Sequence, residues 1–400
     1  MTPLQIYFPT EFVWPEMIFP IIALIMILLG MLPLGFLLHP RRLQKKTDKD
    51  ISVPAGGWPG ISVVVYSRDE ASSLEQLLES LFVQKYEGAM EIIIADDGCN
   101  DDTGNVVKRM MHKFGNMRIT FVPDEARNLS RRKMALTLGI KSAKYDIVVL
   151  TCADAVISSD QWLASIASLF EPGIDVVVAP AIPKKLYGCG LVKIMRRLDM
   201  AMTTLTWMSA ALYGMTYRGD CHNLALRKQI FFEHNGYSKT LNLHFGDDDL
   251  FVKEISNRKN VAVNVRREGL VKIDRRMTPK YMIRAESARR LFTTRKLGRG
   301  VRAFVSMLVW TTWLNFISVA ISIAFYRYNG YVLIGSLVAL SANWVIVSLW
   351  LSRSARFLRL RMPVVWLAPS LMFRPILSAN RRIRMLKTKS TNFTWQKLQK

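Results

Sequence analysis

The chain has 400 residues, half of them apolar, so it is long enough for two to three structural units and apolar enough to bury a large core. Its 22 Gly and 16 Pro are ordinary usage, which together with the apolar content excludes collagenous, low-complexity and disordered chains. The formal charge of +24 points to nucleic acid or an anionic membrane surface, and the location of that charge decides between them.

Residues 1–50 hold 5 Lys/Arg against 4 Asp/Glu, residues 51–286 hold 31 against 27, and residues 287–400 hold 19 against none. The excess therefore flanks the apolar runs at 301–325 and 331–351 and does not line an open groove, so membrane lipids are expected as a partner and nucleic acid is not. The four Cys, at 99, 152, 189 and 221, form no C-x-x-C pair and have no His at ligand spacing. Reduced thiols are expected, and neither a disulfide scaffold nor a Cys/His zinc site is.

In chain order, residues 1–16 precede an uncharged stretch at 17–38. Twenty-two residues at about 1.5 Å each span roughly 33 Å, enough for a hydrocarbon core of about 30 Å. No Lys or Arg precedes the stretch and no small-residue cleavage pattern follows it, so it reads as a retained span and not a leader. Glu11 and Glu16 lie before it, and Arg41, Arg42, Lys45 and Lys46 after it, which places the N-terminus outside and the following residues in the cytoplasm. A basic linker covers 39–60.

From residue 61 short apolar runs alternate with helical patterns. Strands are expected at 61–65, 91–95, 117–121 and 146–151, and helices at 71–84, from 101, and around 131–142. That alternation predicts an α/β fold with a mainly parallel sheet, whose ligands bind beyond the carboxyl ends of the strands. Those ends deliver Asp69 and Glu70, then Asp96 and Asp97, then Asp154. Acids crowded at one rim suit a divalent cation and a phosphate group. The absence of G-x-G-x-x-G after the first strand, and of G-x-x-x-x-G-K-[ST] anywhere, argues against a dinucleotide dehydrogenase and a P-loop NTPase.

The domain is bounded at 61–275, followed by a basic interfacial segment at 276–300, spans at 301–325 and 331–351, and a basic tail at 379–400. Arg295, Lys296, Arg299 and Arg302 precede the first of these spans, and Arg353, Arg356, Arg359 and Arg361 follow the second, so the pair reads as a hairpin with both ends cytoplasmic. Residues 362–378 carry three prolines and Arg374 between basic clusters, which favours a re-entrant or interfacial segment over a further crossing.

The runs ISVVVYSRDE at 61–70, EIIIADDGCNDDT at 91–103, KMAL at 133–136, VLTCAD at 149–154, Gly219 with NLALR at 223–227, and GDDDL at 246–250 resemble glycosyltransferase family 2. This is a group of membrane-bound enzymes with a GT-A fold, related to hyaluronan and cellulose synthases. The resemblance covers about residues 60–300. It implies inverting transfer of a sugar from a nucleotide diphosphate donor, a UDP-sugar first among them, to a saccharide or lipid-linked acceptor, at the cytoplasmic face of a bacterial-type inner membrane. It also implies Mg²⁺ or Mn²⁺ as cofactor. On the matching positions, Asp69, Glu70, Asp96, Asp97, Lys133, Asp247 and Arg289 would contact the donor, Asp154 would hold the metal, and Asp248 would be the base. The chemistry suits these residue types, because a leaving diphosphate needs cationic compensation and an acceptor hydroxyl needs one positioned base.

Two departures stand out. The family's Asp-x-Asp reads Cys152-Ala-Asp154 here, and a thiolate is a soft ligand poorly suited to Mg²⁺ or Mn²⁺. The family's Gln-x-x-Arg-Trp reads ESARR at 286–290, which keeps Arg289 but loses the acceptor-stacking Trp and argues against a long-chain synthase. Both departures favour the competing reading, a catalytically weakened nucleotide-sugar-binding component of a membrane polysaccharide assembly. More local expectations concern single residues. Asp248, between two further acids, is expected to have a raised pKa; the plain reading is three acids meeting a helix N-terminus, and both can hold at once. Arg131 and Arg132 are read as solvated, and His222, His234 and His244 as satisfied histidines without a ligand role. Trp310, Trp313, Trp344 and Trp350 are read as packing or interface anchors within the spans.

Overall fold

The computed structural model describes residues 51–54, 56–123, 129–185, 190–243, 246–274, 297–306 and 330–360, with isolated positions elsewhere. The chain divides into two compact units. One comprises Arg42–Tyr187, Trp207–Gly298 and Met385–Lys400, and the other Met1–Arg41, Gly188–Thr206 and Arg299–Arg384.

The first unit begins with β1 (Ile61–Ser67), α1 (Ala71–Phe82), β2 (Met90–Asp96), α2 (Thr103–Lys113), β3 (Met117–Phe121), α3 (Arg131–Ser142) and β4 (Ile147–Cys152). Every residue of β1 and β4 is buried, as continuous apolar strands are when both faces of a parallel sheet are covered. In α1, Leu74, Leu77, Leu78 and Leu81 form one buried face at the i, i+3, i+4, i+7 spacing that a core-facing helix requires. They pack with Val63, Val65, Ile92 and Ile94 in the main core. On the other face of the sheet α3 comes so close that a Cβ on Gly139 would lie 2.6 Å from Val64 Cγ1.

The chain continues through β5 (Ala155–Ile157), α4 (Trp162–Ala167), β6 (Val176–Val178), β7 (Ala181–Pro183), α5 (Gly190–Leu212), β8 (Leu224–Arg227), α6 (Lys228–Glu233), a 3₁₀ turn (Ser238–Thr240), α7 (Asp249–Ile255), β9 (Val261–Val263) and β10 (Val271–Ile273). The main sheet has the order β3-β2-β1-β4-β8-β6-β9, and a small second sheet the order β5-β10-β7. Neighbours in the main sheet are parallel except where β8 runs antiparallel to β4 and to β6. The sheet is thus mainly parallel, as the sequence predicts, and its strands and helices fall within two residues of the expected bounds. The reversed β8 is an addition. Because it opposes β4, with Leu150 across from Leu224, the segment entering β8 lies at the same rim as the carboxyl end of β4.

In the second unit the described elements are the greater part of α5 and α8 (Gly330–Phe357). Among the described residues no helix is long and apolar enough to cross a membrane. The expected spans at 17–38 and 301–325 and the segment at 362–378 lie largely outside the described residues. The stretch 331–351 falls within α8, whose side chains are described only in part. Of those described, Ile334, Leu337, Val338, Val345 and Leu349 are exposed.

Candidate functional site

Three strand ends carry the acids of one rim. At the end of β2, Asp96 turns the chain: its Oδ1 accepts the backbone N–H of Cys99 at 2.8 Å, and Gly98 supplies the positive φ of 72° that the turn requires. Asp96 is therefore a turn residue in this structure. Asp97 next to it is 1 % exposed and fully engaged. Its Oδ2 accepts the Tyr66 hydroxyl at 2.6 Å and Arg68 Nη1 at 3.2 Å, and its Oδ1 accepts Arg131 Nε at 2.9 Å. Burial, reinforced by the Asp97 charge, pushes the Tyr66 phenol above its ordinary pKa. Asp69 is exposed, with a φ of 52°. It ties the β1 loop to the β2 loop, its Oδ1 accepting the Asn100 N–H at 2.8 Å. Glu70 is the N-cap residue of α1, with its backbone carbonyl accepting from Ser73 and Leu74.

The first turn of α3 faces this rim. Arg131 pairs with Asp97, and Arg132 Nε donates to Asp247 Oδ2 at 2.7 Å while its Nη2 lies 3.1 Å from Cys152 Sγ. The Arg132 guanidinium also stacks 4.3 Å above the Tyr66 ring. Neither arginine is merely solvated, contrary to the reading from sequence, because each carboxylate partner is supplied by a distant segment. Lys133 is fully buried and donates from Nζ to the Thr240 carbonyl at 2.6 Å. Burial pulls its pKa down to about 8, against the charges of Asp247 and Asp248.

The acids of residues 247–249 are distributed, not massed. Asp247 pairs with Arg132, and Asp249 Oδ1 lies 3.2 Å from Arg218 Nε. Asp248, 1 % exposed, caps α7. Its Oδ1 accepts the Asp249 N–H at 2.8 Å and its Oδ2 the Cys221 N–H at 3.4 Å. The helix N-terminus reading thus holds for this residue, and its two acidic neighbours each face a guanidinium.

Beyond β4, Asp154 is 5 % exposed, with its Oδ1 3.0 Å from His222 Nε2. The other ring nitrogen, Nδ1, lies 2.7 Å from Asp220 Oδ1. Burial opposes a charge on His222, yet Cys152, Cys221 and Asp154 around it outweigh burial and raise its pKa. Cys152 and Cys221 are both buried. Burial pushes the Cys152 thiol up. The Cys221 thiol is drawn down to about 6, first by a hydrogen bond with Cys152, then against burial by Arg132 and His222.

The eight described residues that the sequence singled out fall into one network and one margin. Asp97 reaches Tyr66, whose ring carries Arg132. Arg132 touches Asp247 and Cys152. Cys221 holds Asp248 through its N–H, and His222, next in the chain, holds Asp154. Lys133 and Asp96 flank this network, Asp69 and Glu70 lie at its edge, and Arg289 lies outside the described residues. Sequence reasoning gave no site role to Tyr66, Arg68, Arg131, Arg132, Cys221 or His222. It also set aside a Cys/His cluster, because its members come from segments 69 residues apart, whereas the fold brings Cys152, Cys221 and His222 together. For a hard divalent cation, Asp154 supplies one buried oxygen donor. That fits an ion such as Mg²⁺, which accepts few protein ligands and takes its remaining oxygens from phosphate and water.

In scaffold the chain is similar to a mannosyltransferase from Pyrobaculum calidifontis solved with GDP-Man and Mn²⁺. The TM-score is 0.51 at 17% identity, over 90% of this chain and 99% of that one, which makes the fold a GT-A fold. Residues 62–231 match the model of Glycosyl transferase family 2, so the chain carries a domain of that family. It is 29% identical over 120 residues to a poly-beta-1,6-N-acetyl-D-glucosamine synthase of Staphylococcus aureus (strain COL), over 30% of this chain and 28% of that protein. To an N-acetylglucosaminyltransferase of Bradyrhizobium diazoefficiens it is 28% identical over 126 residues, 31% of this chain and 25% of that one. The matched stretch thus spans about a quarter of the length of these curated relatives.

Proposed function

We propose that the chain is a membrane-bound inverting glycosyltransferase. It would move a sugar from a nucleotide diphosphate donor to a saccharide or lipid-linked acceptor at the cytoplasmic face of a bacterial-type inner membrane. The observation that carries this reading is the contact network joining Asp97, Asp154 and Asp248 at the carboxyl rim of a mainly parallel sheet, where such sheets bind ligands. The names of the two curated relatives make an N-acetylglucosamine nucleotide, as UDP-GlcNAc, the first donor to try.

Asp97 and the arginines on it would bind the nucleoside end of the donor, and Lys133, with Arg289, the diphosphate. Asp154 would hold Mg²⁺ or Mn²⁺, in keeping with the Mn²⁺ in the mannosyltransferase complex. When bound, that cation supplies charge compensation for the departing diphosphate. Asp248 would take the proton of the acceptor hydroxyl as it attacks the anomeric carbon in a single displacement. The N–H groups of Asp249 and Cys221 fix its carboxylate, so the base is oriented before substrate arrives. The exposed apolar side chains of α8 and the basic C-terminal region support membrane residence.

A second reading is favoured by one observation. Asp154 is engaged by His222 and its usual acidic companion is Cys152, as would suit a component that binds nucleotide sugar with weakened turnover. Release of the nucleotide diphosphate from UDP-GlcNAc by the purified full chain separates the two. The enzyme reading expects turnover in Mn²⁺ that falls by about 10²-fold or more in Asp248→Asn. Turnover indifferent to that change removes Asp248 as base, and donor binding without turnover in the wild type favours the second reading.

A further inference from the structure

The antiparallel register of β4 and β8 puts Leu150 across from Leu224. Continued two residues past the ladder, that register sets Cys152 opposite His222, with Cys221 adjoining. The Sγ atoms of both cysteines and a ring nitrogen of His222 all lie within 4.8 Å of one another, and all three residues are buried. A tetrahedral ion with Zn–S of about 2.3 Å and Zn–N of about 2.0–2.1 Å sets sulfur and nitrogen about 3.5 Å apart. Cys221 Sγ and His222 Nδ1 are 3.5 Å apart. Asp220 Oδ1 lies 2.7 Å from the same Nδ1, a hydrogen-bond distance and shorter than the roughly 3.3 Å between two ligands of one tetrahedral ion, so Asp220 is the hydrogen-bond partner of the free imidazole and is not counted among the ligands.

We infer that Cys152, Cys221 and His222 Nδ1 supply three ligands of a zinc site at the donor rim. It is a different site from the hard-cation position at Asp154 and does not depend on sugar transfer. The donor set is the soft and borderline one that selects Zn²⁺ over Mg²⁺ or Mn²⁺. On binding, the two thiols and Nδ1 give up their protons to solvent and the ion takes their place. The surroundings suit an imidazole and thiolate ligand set. His222 Nε2 faces Asp154 Oδ1 at 3.0 Å, the carboxylate–histidine–metal arrangement that fixes an imidazole ligand. Arg132 Nη2 lies 3.1 Å from Cys152 Sγ, and the Thr151 hydroxyl donates to the His222 carbonyl at 3.0 Å. The site therefore replaces the missing acid at position 152 with a metal that orients Asp154 through His222.

The test is the metal content of the full chain, purified in detergent without chelator and without added metal, read by mass spectrometry together with zinc X-ray absorption. The proposal expects about one zinc per chain with two sulfurs at about 2.3 Å. Cys221→Ser and Cys152→Ser should lower zinc retention at least tenfold, and Cys99→Ser should leave it intact. Where Cys152→Ser fails to fold, Cys152→Ala serves, since it removes the donor atom altogether. Wild-type protein purified with its thiols free and no zinc, a Cys152–Cys221 disulfide in the intact mass, or zinc that follows Cys99 overturns the proposal. None of these readouts uses donor or acceptor, so they stand apart from the outcome of the transfer assay.

Discussion

Arg132 binds three separate stretches of chain: the Tyr66 ring beneath it, Asp247 at its Nε, and Cys152 at its Nη2. Arg132→Met leaves the buried Asp247 carboxylate without its guanidinium, and stability in chemical denaturation is expected to fall by about 3–5 kcal/mol. Arg132→Met with Asp247→Asn should cost less than the two single changes together by at least about 1 kcal/mol; strict additivity would deny the coupling. Lys133 makes a different prediction. Its folded pKa of about 8 is below the ordinary lysine value, so between these the unfolded chain binds the extra proton and stability rises with pH. The charged amine, which faces Asp247 and Asp248, is a cost below pH 8 that is relieved above it. Lys133→Met removes the titration, so its stability relative to wild type should decline by about 2–3 kcal/mol from pH 7 to pH 10, and a gap independent of pH would contradict the assigned burial. At this scale the acids were legible in the sequence, because carboxylates after short apolar runs stand out. Their partners were not: Arg132 and Asp247 are 115 residues apart, and no local pattern reports such a pairing.

At the scale of elements, the sheet places the site and α3 presses the basic first turn onto it. The closeness of that packing is set at Gly139, where a methyl group would meet Val64 Cγ1 at 2.6 Å. Gly139→Ala should cost about 1–3 kcal/mol by overpacking, and Val64→Ala in the same chain should recover part of that loss; a neutral Gly139→Ala would mean that α3 sits farther from β1. The parallel strands were readable because both their faces are buried and their apolar runs are continuous. β8 was not, since LALR at 224–227 is as compatible with a helix as with a strand, and its direction follows from pairing with β4 and β6, which no local window contains. That reversal delivers Cys221 and His222 to the rim.

For the whole molecule, the charge is divided along the chain: a nearly balanced catalytic-type domain and a C-terminal region with 19 basic and no acidic residues after 286. This division was fully legible in composition. The membrane residence it supports predicts that the full chain remains in the membrane pellet after an alkaline carbonate wash; release into the supernatant would point to peripheral attachment by charge alone. The central claim is that the Asp97–Asp154–Asp248 network is a cation-assisted nucleotide-sugar site. Calorimetric titration of the purified chain with UDP-GlcNAc, with and without Mn²⁺, tests it most directly. Saturable binding is expected that Mn²⁺ tightens, that Asp97→Asn weakens, that Asp154→Asn makes insensitive to Mn²⁺, and that Asp248→Asn leaves in place. Binding unaffected by Mn²⁺ and by both Asp97→Asn and Asp154→Asn would contradict it.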